Sequence, residues 1–285
     1  MRTLITSGQQ KQYKRFVEDA ADKALAEVGL DKDGLQKLIE NGDEFQATIV
    51  AAVRELSVSN QFADEEVESS YAYPNGYKVK GVTEQTNILR QLFPGIGFAD
   101  EKIAQQPLPP NAEGWFAIPK WHSLAPTYGE AVEKVLAMIA SKRKFYNYRD
   151  GQLGAEYLRQ HAKTVKMFQK LGDEQKDYDI LVVPAQFGLR HRGRSVRRAR
   201  EVFLANEFGL GAFAVGIMLL THPEREVQWE QLHIDCAGDG FSPDADGDFS
   251  RAPYFSFNDG KLKFDTCWMV IANGSYGSAS AFFPQ

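Results

Sequence analysis

The run Ile180-Leu181-Val182-Val183, inside "YDILVVPAQF", limits the fold more than any other stretch of the chain. A strand buried on both faces reads as unbroken apolar residues, so this segment predicts a central strand in a sheet covered on both sides. The next stretch is opposite in character. "GLRHRGRSVRRAREVF" carries Arg190, Arg192, Arg194, Arg197, Arg198 and Arg200, six of the fifteen arginines in the chain, with His191 and no lysine. Ser195 is a candidate N-cap, and Gly209 a candidate stop, for a helix beginning there. A strand-to-helix junction places free backbone N–H groups and the positive helix end beside the guanidiniums. Arginine suits planar, two-pronged binding of phosphate or carboxylate. Three fates for this charge remain open at this level. The arginines hold an external anion; they pair with the chain's own acids, such as Glu201 or the acidic segment downstream; or they form a solvated face.

Charge is arranged in blocks. Residues 120–200 hold 17 basic against 8 acidic side chains, and residues 201–285 hold 4 against 12. Residues 1–70 are acidic as well, with 8 against 14. Such asymmetry bears on partners rather than on fold. Apolar residues make up 43% of the 285 and charged residues 25%, the balance of an ordinary globular protein with a substantial core. The opening "MRTLITSGQQKQYKRF" lacks an apolar signal region, and no apolar run approaches a membrane span. Cys236 and Cys267 each sit in an apolar strand-like run, which predicts reduced, buried thiols. A soluble cytoplasmic protein with no membrane partner is expected.

Periodicity divides the chain into an acidic helical part, 1–65, and a mixed α/β part, 66–285. In "SGQQKQYKRFVEDAADKALAEVG", Tyr13, Phe16, Val17, Ala20, Ala24 and Val28 form one helical stripe between a cap at Ser7 and Gly29. Two shorter helices lie on either side of Gly42, and the group is expected to pack as a bundle or cap. Further on, "TEQTNILRQLF" and "TYGEAVEKVLAMIASKRK" read as helices, and "GWFAIP" as a strand. In the second helix Ala131, Val135, Met138 and Ile139 turn inward. A long helix is expected over about 153–171. "LGAFAVGIMLL" (210–220) reads as a buried strand, "EQLHIDC" and "TCWMVIA" as strands, and "YFSFNDGKLKF" as a hairpin turning at Asp259-Gly260. Residues after that are expected to form a Gly/Ser tail. The fold class is α+β, or mixed α/β, with a terminal β-hairpin.

Several strings carry chemistry. "SKRKFYNYRDG" interleaves Lys142, Arg143, Lys144 and Arg149 with Tyr146 and Tyr148, a secondary basic-aromatic patch able to stack on bases. Asp244, Asp246 and Asp248 alternate as in a calcium loop, but position twelve is Phe255 rather than a bidentate Glu. Asp235 and Asp239 are candidates for a metal or a proton. His191, His222 and His233 end expected strands and are candidate acids or bases. No Cys or His pair has zinc spacing. "GRSVR" is not a nucleophile elbow, because its fifth residue is Arg197. "GLGAFA" matches G-x-G-x-x-A but is expected to open a strand, the wrong context for a dinucleotide turn. The cofactor is left open.

The segments "DILVVPAQFGLRHRGRSVRRAREVFLANEFGLGAFAVGIMLLTHPER" and "YGSASAFFPQ", with "GWFAIP" and "KFYNYR", resemble members of an uncharacterised family of bacterial hypothetical proteins. That resemblance implies a bacterial, intracellular setting and no activity. On the residues themselves, three readings are carried. The first is a binding protein for a phosphate-bearing ligand, nucleic acid foremost, using Arg190 to Arg200. The second is an enzyme acting on a phosphorylated small molecule, with Asp235 or Asp239 and His191 or His233 as its chemical groups. The third is an assembly protein in which the basic block of one copy meets the acidic block of another, so that an oligomer forms.

Overall fold

The computed structural model describes residues 6–56 and 60–284. The chain divides into two units, Met1–Val58 and Ser59–Gln285. The division lies ahead of the expected 65, because residues 60–66 are tied by hydrogen bonds and ion pairs to residues 194–201 and belong with them.

The first unit holds α1 (Ser7–Val28), α2 (Lys32–Glu40) and α3 (Gly42–Leu56). Thr6, not Ser7, caps α1, in a reciprocal capping box with Gln9. Gly29 ends that helix in the left-handed conformation at φ 62°. Asp31 caps α2 through Gly34 N at 2.7 Å. The apolar stripe of α1 is not buried as expected: Phe16 is 62% and Val28 67% exposed. No residue of α1 or α2 is buried.

The second unit is α+β. A four-stranded antiparallel sheet has the order β1 (Gly114–Pro119), β4 (Ile180–Gln186), β11 (Ser280–Phe282), β5 (Glu207–Gly209). Every residue of β4 is buried, as the apolar run requires. The expected Gly/Ser tail supplies β11, which fills the place between β4 and β5, and β10 (Tyr276–Ser278). Its small residues and short strands carry no periodicity, so its sequence hides it.

A second, seven-stranded sheet is built on the hairpin of β8 (Arg251–Asn258) and β9 (Lys261–Trp268), which turns at Asp259 and Gly260 with φ 52° and 69°. β6 (His233–Asp235) and β7 (Asp239–Phe241) both pair with β8, and β10 lies parallel to β6. β3 (Leu158–Gln160) pairs with β7, and β2 (Phe145–Asn147) with β9. The single helix expected over 153–171 is therefore β3 followed by α6 (Ala162–Glu174). α4 (Val82–Leu92) and α5 (Tyr128–Lys142) form as expected, and Ser195 caps a short α7 (Val196–Val202) through Arg198 N.

The strand expected at 210–220 is instead a helix, α8 (Ala212–Thr221), with all ten residues buried. A helix that is apolar all round has no stripe, so periodicity cannot tell it from a central strand. α8 packs on α4, α5 and β1. Gly216 makes that approach possible, because a Cβ there would lie 2.5 Å from Val135 Cγ1. Gly216→Leu forces α5 and α8 apart, and chemical denaturation is expected to show a loss of about 1–3 kcal/mol or more.

Candidate functional site

The arginines after β4 find their anions inside the chain. Arg197 grips both oxygens of Glu65 from Nε, at 2.7 and 2.8 Å, and stacks on Phe62 at 4.1 Å. Arg198 meets Glu66 and Glu201, the latter at 2.9 Å, and Arg194 reaches Glu66 at 3.2 Å. Glu65 also accepts from Ser195 Oγ at 2.6 Å, so the residue that caps α7 is held there and is not placed as a nucleophile. Gly193, at φ 76°, lets residues 65–67 lie against this loop, since a Cβ would sit 2.1 Å from Val67 O. Arg197 holds the Glu65 carboxyl below the usual range against the burial that raises it. At Glu66 burial raises the carboxyl, and Arg198 and Arg194 together bring it below that range.

Arg190 and His191 share the buried carboxylate of Glu207. The His191 Nε2–H donates to Glu207 at 2.7 Å, and its Nδ1 accepts from Arg194 at 3.2 Å. That is the pattern of a neutral imidazole, in keeping with burial pushing the His191 pKa down. Glu207 also accepts from Ser280 Oγ and Leu204 N. These donors outweigh burial and hold its pKa at about 2. Arg200 is different. It donates to the carbonyls of Ala237 and Asp239 at 2.8 and 2.7 Å, and burial lowers its pKa to about 10. Arg192 is exposed, and its guanidinium donates to Tyr71 O at 3.3 Å.

The other sequence candidates are dispersed. In the basic-aromatic patch, Arg143 folds back onto the carbonyls of Pro223 and Glu226, and Arg149 pairs with Asp265. Tyr146 on the edge strand β2 and Tyr148 in the turn after it stay half exposed, with Lys142 and Lys144 exposed beside them. Of the acidic segment 235–248 the arginines reach only backbone carbonyls among the described residues, Arg200 at Ala237 and Asp239; Asp246 accepts from Ser242 and Asp248 N, and Asp248 from Ser250. Among the described residues no cluster of three or more His, Cys, Asp or Glu side chains is placed to hold a metal ion, so Asp244, Asp246 and Asp248 do not form the site their spacing suggests. His222 is a core histidine, accepting from Lys80 N at 2.9 Å. Cys236 is a buried free thiol, and Cys267 is half-buried rather than buried.

Asp239 does stand at a site. Its Oδ2 accepts from Ala212 N, the first N–H of α8, at 2.7 Å. Both its oxygens lie within 2.9 Å of the Tyr128 hydroxyl, which donates to them. Phe213 N approaches that phenol oxygen at 3.5 Å. Gly211 makes room for the pair, because a Cβ there would sit 2.3 Å from Asp239 and 2.4 Å from Tyr128. Burial outweighs these donors and the Arg200 charge, raising the Asp239 pKa to about 7. Tyr128 and Gly211 line a cavity of about 420 Å³, with Trp121, Phe168 and Phe213 as aromatic walls and Lys120, Gln160 and Gln169 as polar groups. "GLGAFA" does span a strand-to-helix turn, β5 to α8, but β5 belongs to an antiparallel sheet and Asp239 occupies the helix end.

Of the sequence candidates, this site uses Asp239 alone. Tyr128 and the aromatic walls carry no motif that would mark them. The partners of the arginines were visible in principle, since "ADEEVESS" holds four acids and no base. Comparisons with models of protein families, with curated proteins and with solved structures give no match.

The pairing has two measurable results. Glu207→Gln leaves Arg190 short of its counter-ion and is expected to cost about 3 kcal/mol in urea denaturation at pH 7. In the parent protein the Glu207 contribution is complete above pH 4.5 and is lost as pH falls through about 2. Because Arg194, Arg197 and Arg198 are already paired, retention on single-stranded DNA is expected to be weak and nearly independent of salt.

Proposed function

We propose that the protein binds a small, ring-bearing organic molecule in the cavity beside α8 and abstracts a proton from it through Tyr128 and Asp239. The observation that carries this reading is the Tyr128 hydroxyl, set in the cavity wall with its hydrogen engaged by Asp239. A phenol held in this way offers the lone pairs of its oxygen to a donor on the ligand. As a ligand X–H passes its proton to Tyr128, the phenol proton passes to Asp239 and the electron pair stays on X. Burial and the Asp239 charge raise the Tyr128 pKa well above that of a free phenol, so Tyr128 relays the proton without becoming a phenolate, and the negative charge builds on X. Asp239, poised at about 7, is an acceptor matched to neutral pH. Trp121, Phe168 and Phe213 supply the apolar walls a ring needs, and the glutamines its orientation.

This is the enzyme reading, with Tyr128 in the role expected of a histidine. It needs no phosphate on the ligand. The arginines that would have held one are paired, and the first two N–H groups of α8 face Asp239 and Tyr128. A nucleic-acid ligand has the same difficulty with the same arginines.

A thermal-shift screen of aromatic and heterocyclic fragments tests the reading. Hits are expected to bind in the cavity and to be lost in Gly172→Phe, whose added ring fills it. Once a turned-over ligand is found, Tyr128→Phe is expected to keep binding within about threefold while turnover drops about 100-fold or more. The rate is expected to rise with pH around 7, as Asp239 loses its proton. Hits that bind Gly172→Phe as tightly as the parent would place the ligand elsewhere and contradict the proposal.

A further inference from the structure

Strands β6, β8, β9 and β10 present two unlike faces. Ile234, Phe255 and Phe264 stand in register on one and enter the core. The other face carries His233 and Asp235, then Tyr276 and Ser278 across from them on β10, and Tyr254 across from Asp235 on β8. Polar side chains on a sheet face this deeply covered normally find partners within the protein. Several here do not. His233 Nε2, Glu226 Oε2 and Ser278 Oγ are buried without a hydrogen-bond partner. Asp235 is 9% exposed, and its carboxyl makes no hydrogen bond or ion pair among the described residues.

The unmet groups share one character. His233 Nδ1 lies 2.8 Å from a Glu226 oxygen; with a single ring proton on Nδ1, Nε2 is an acceptor. The Asp235 and Glu226 oxygens are acceptors, and the Ser278 hydroxyl accepts as well as donates. Of the neighbouring cations, Arg225 is stacked on Tyr73 at 3.7 Å and Phe187 at 5.3 Å and donates to Leu232 O, with its own Nε and Nη2 unpartnered, and Arg143 donates to the Glu226 carbonyl, so neither is hydrogen-bonded to these side chains. Aromatic rings frame the same patch: Tyr276 lies 5.0 Å from His233 and 5.2 Å from Tyr254.

We propose that this face binds the ammonium group of a small organic amine, with Asp235 as its counter-ion and the rings of Tyr254 and Tyr276 against its charge. An alkylammonium has three donors and no acceptor, the complement of what this face leaves open. Tyrosine faces attract such a cation, and a desolvated carboxylate gains most from one. Among the described residues no group of three or more His, Cys, Asp or Glu side chains is placed to hold a metal ion. The site is separate from the Tyr128 cavity and does not depend on its assignment.

Calorimetric titration of the full chain with n-butylamine, cadaverine and spermidine tests it, with 1-butanol and butyrate as uncharged and anionic controls. Saturable binding of at least one amine is expected, weakened tenfold or more by Asp235→Asn and by Tyr254→Leu, and unchanged by Gly172→Phe in the cavity. Asp235→Asn removes a charge without changing shape, so the variant is expected to fold. Chemical-shift changes at His233 and Ser278 on adding amine would locate the binding. Amines that bind no better than 1-butanol, or that bind Asp235→Asn as tightly as the parent, would overturn the proposal.

Discussion

The Asp239 carboxylate is the contact on which the second unit turns. It closes the N-terminus of a helix buried on every side, and a buried helix end without a cap leaves N–H groups unpaired at a cost of roughly 1–3 kcal/mol each. The same carboxylate fixes Tyr128 at the start of α5, and the Asp239 carbonyl receives Arg200 from α7. Three helices are thereby referred to one residue of β7. A carboxylate in this position is both a structural anchor and a base, because the burial that makes its hydrogen bonds valuable also raises its pKa toward neutrality.

The arginine cluster shows the opposite solution. Arg194, Arg197 and Arg198 are satisfied by Glu65, Glu66 and Glu201, and Arg190 by Glu207. Glu65 and Glu66 lie some 130 positions away in sequence. The pairs hold residues 60–67 across the loop after β4 and set where the second unit begins. Their work is to join segments, and little guanidinium charge is left over for a ligand.

Much of the architecture was legible. The run Ile180 to Val183 marked the central strand, Asp259-Gly260 marked the hairpin, and Ser195 marked a helix start. Each of these rests on a local rule. α8 was misread because a helix without a polar face has no period, and β10 and β11 because Gly, Ser and Ala give no pattern. The site was legible in only one member. Asp239 was one of two acids, with Asp235, considered for a metal or a proton, whereas Tyr128 of α5, Phe168 of α6 and Trp121 of the turn before α5 come together only through tertiary packing. The arginines drew attention by their number, but pairing depends on which acids the fold brings near, and sequence spacing does not state that.

Carbon-13 NMR of aspartate-labelled protein tests the central claim most directly, with the Asp239 carboxyl assigned through Asp239→Asn. The account predicts a titration midpoint near 7 that moves when Tyr128 becomes Phe, because the phenol is hydrogen-bonded to that carboxylate. A midpoint in the ordinary aspartate range, near 4 and indifferent to Tyr128→Phe, would contradict it.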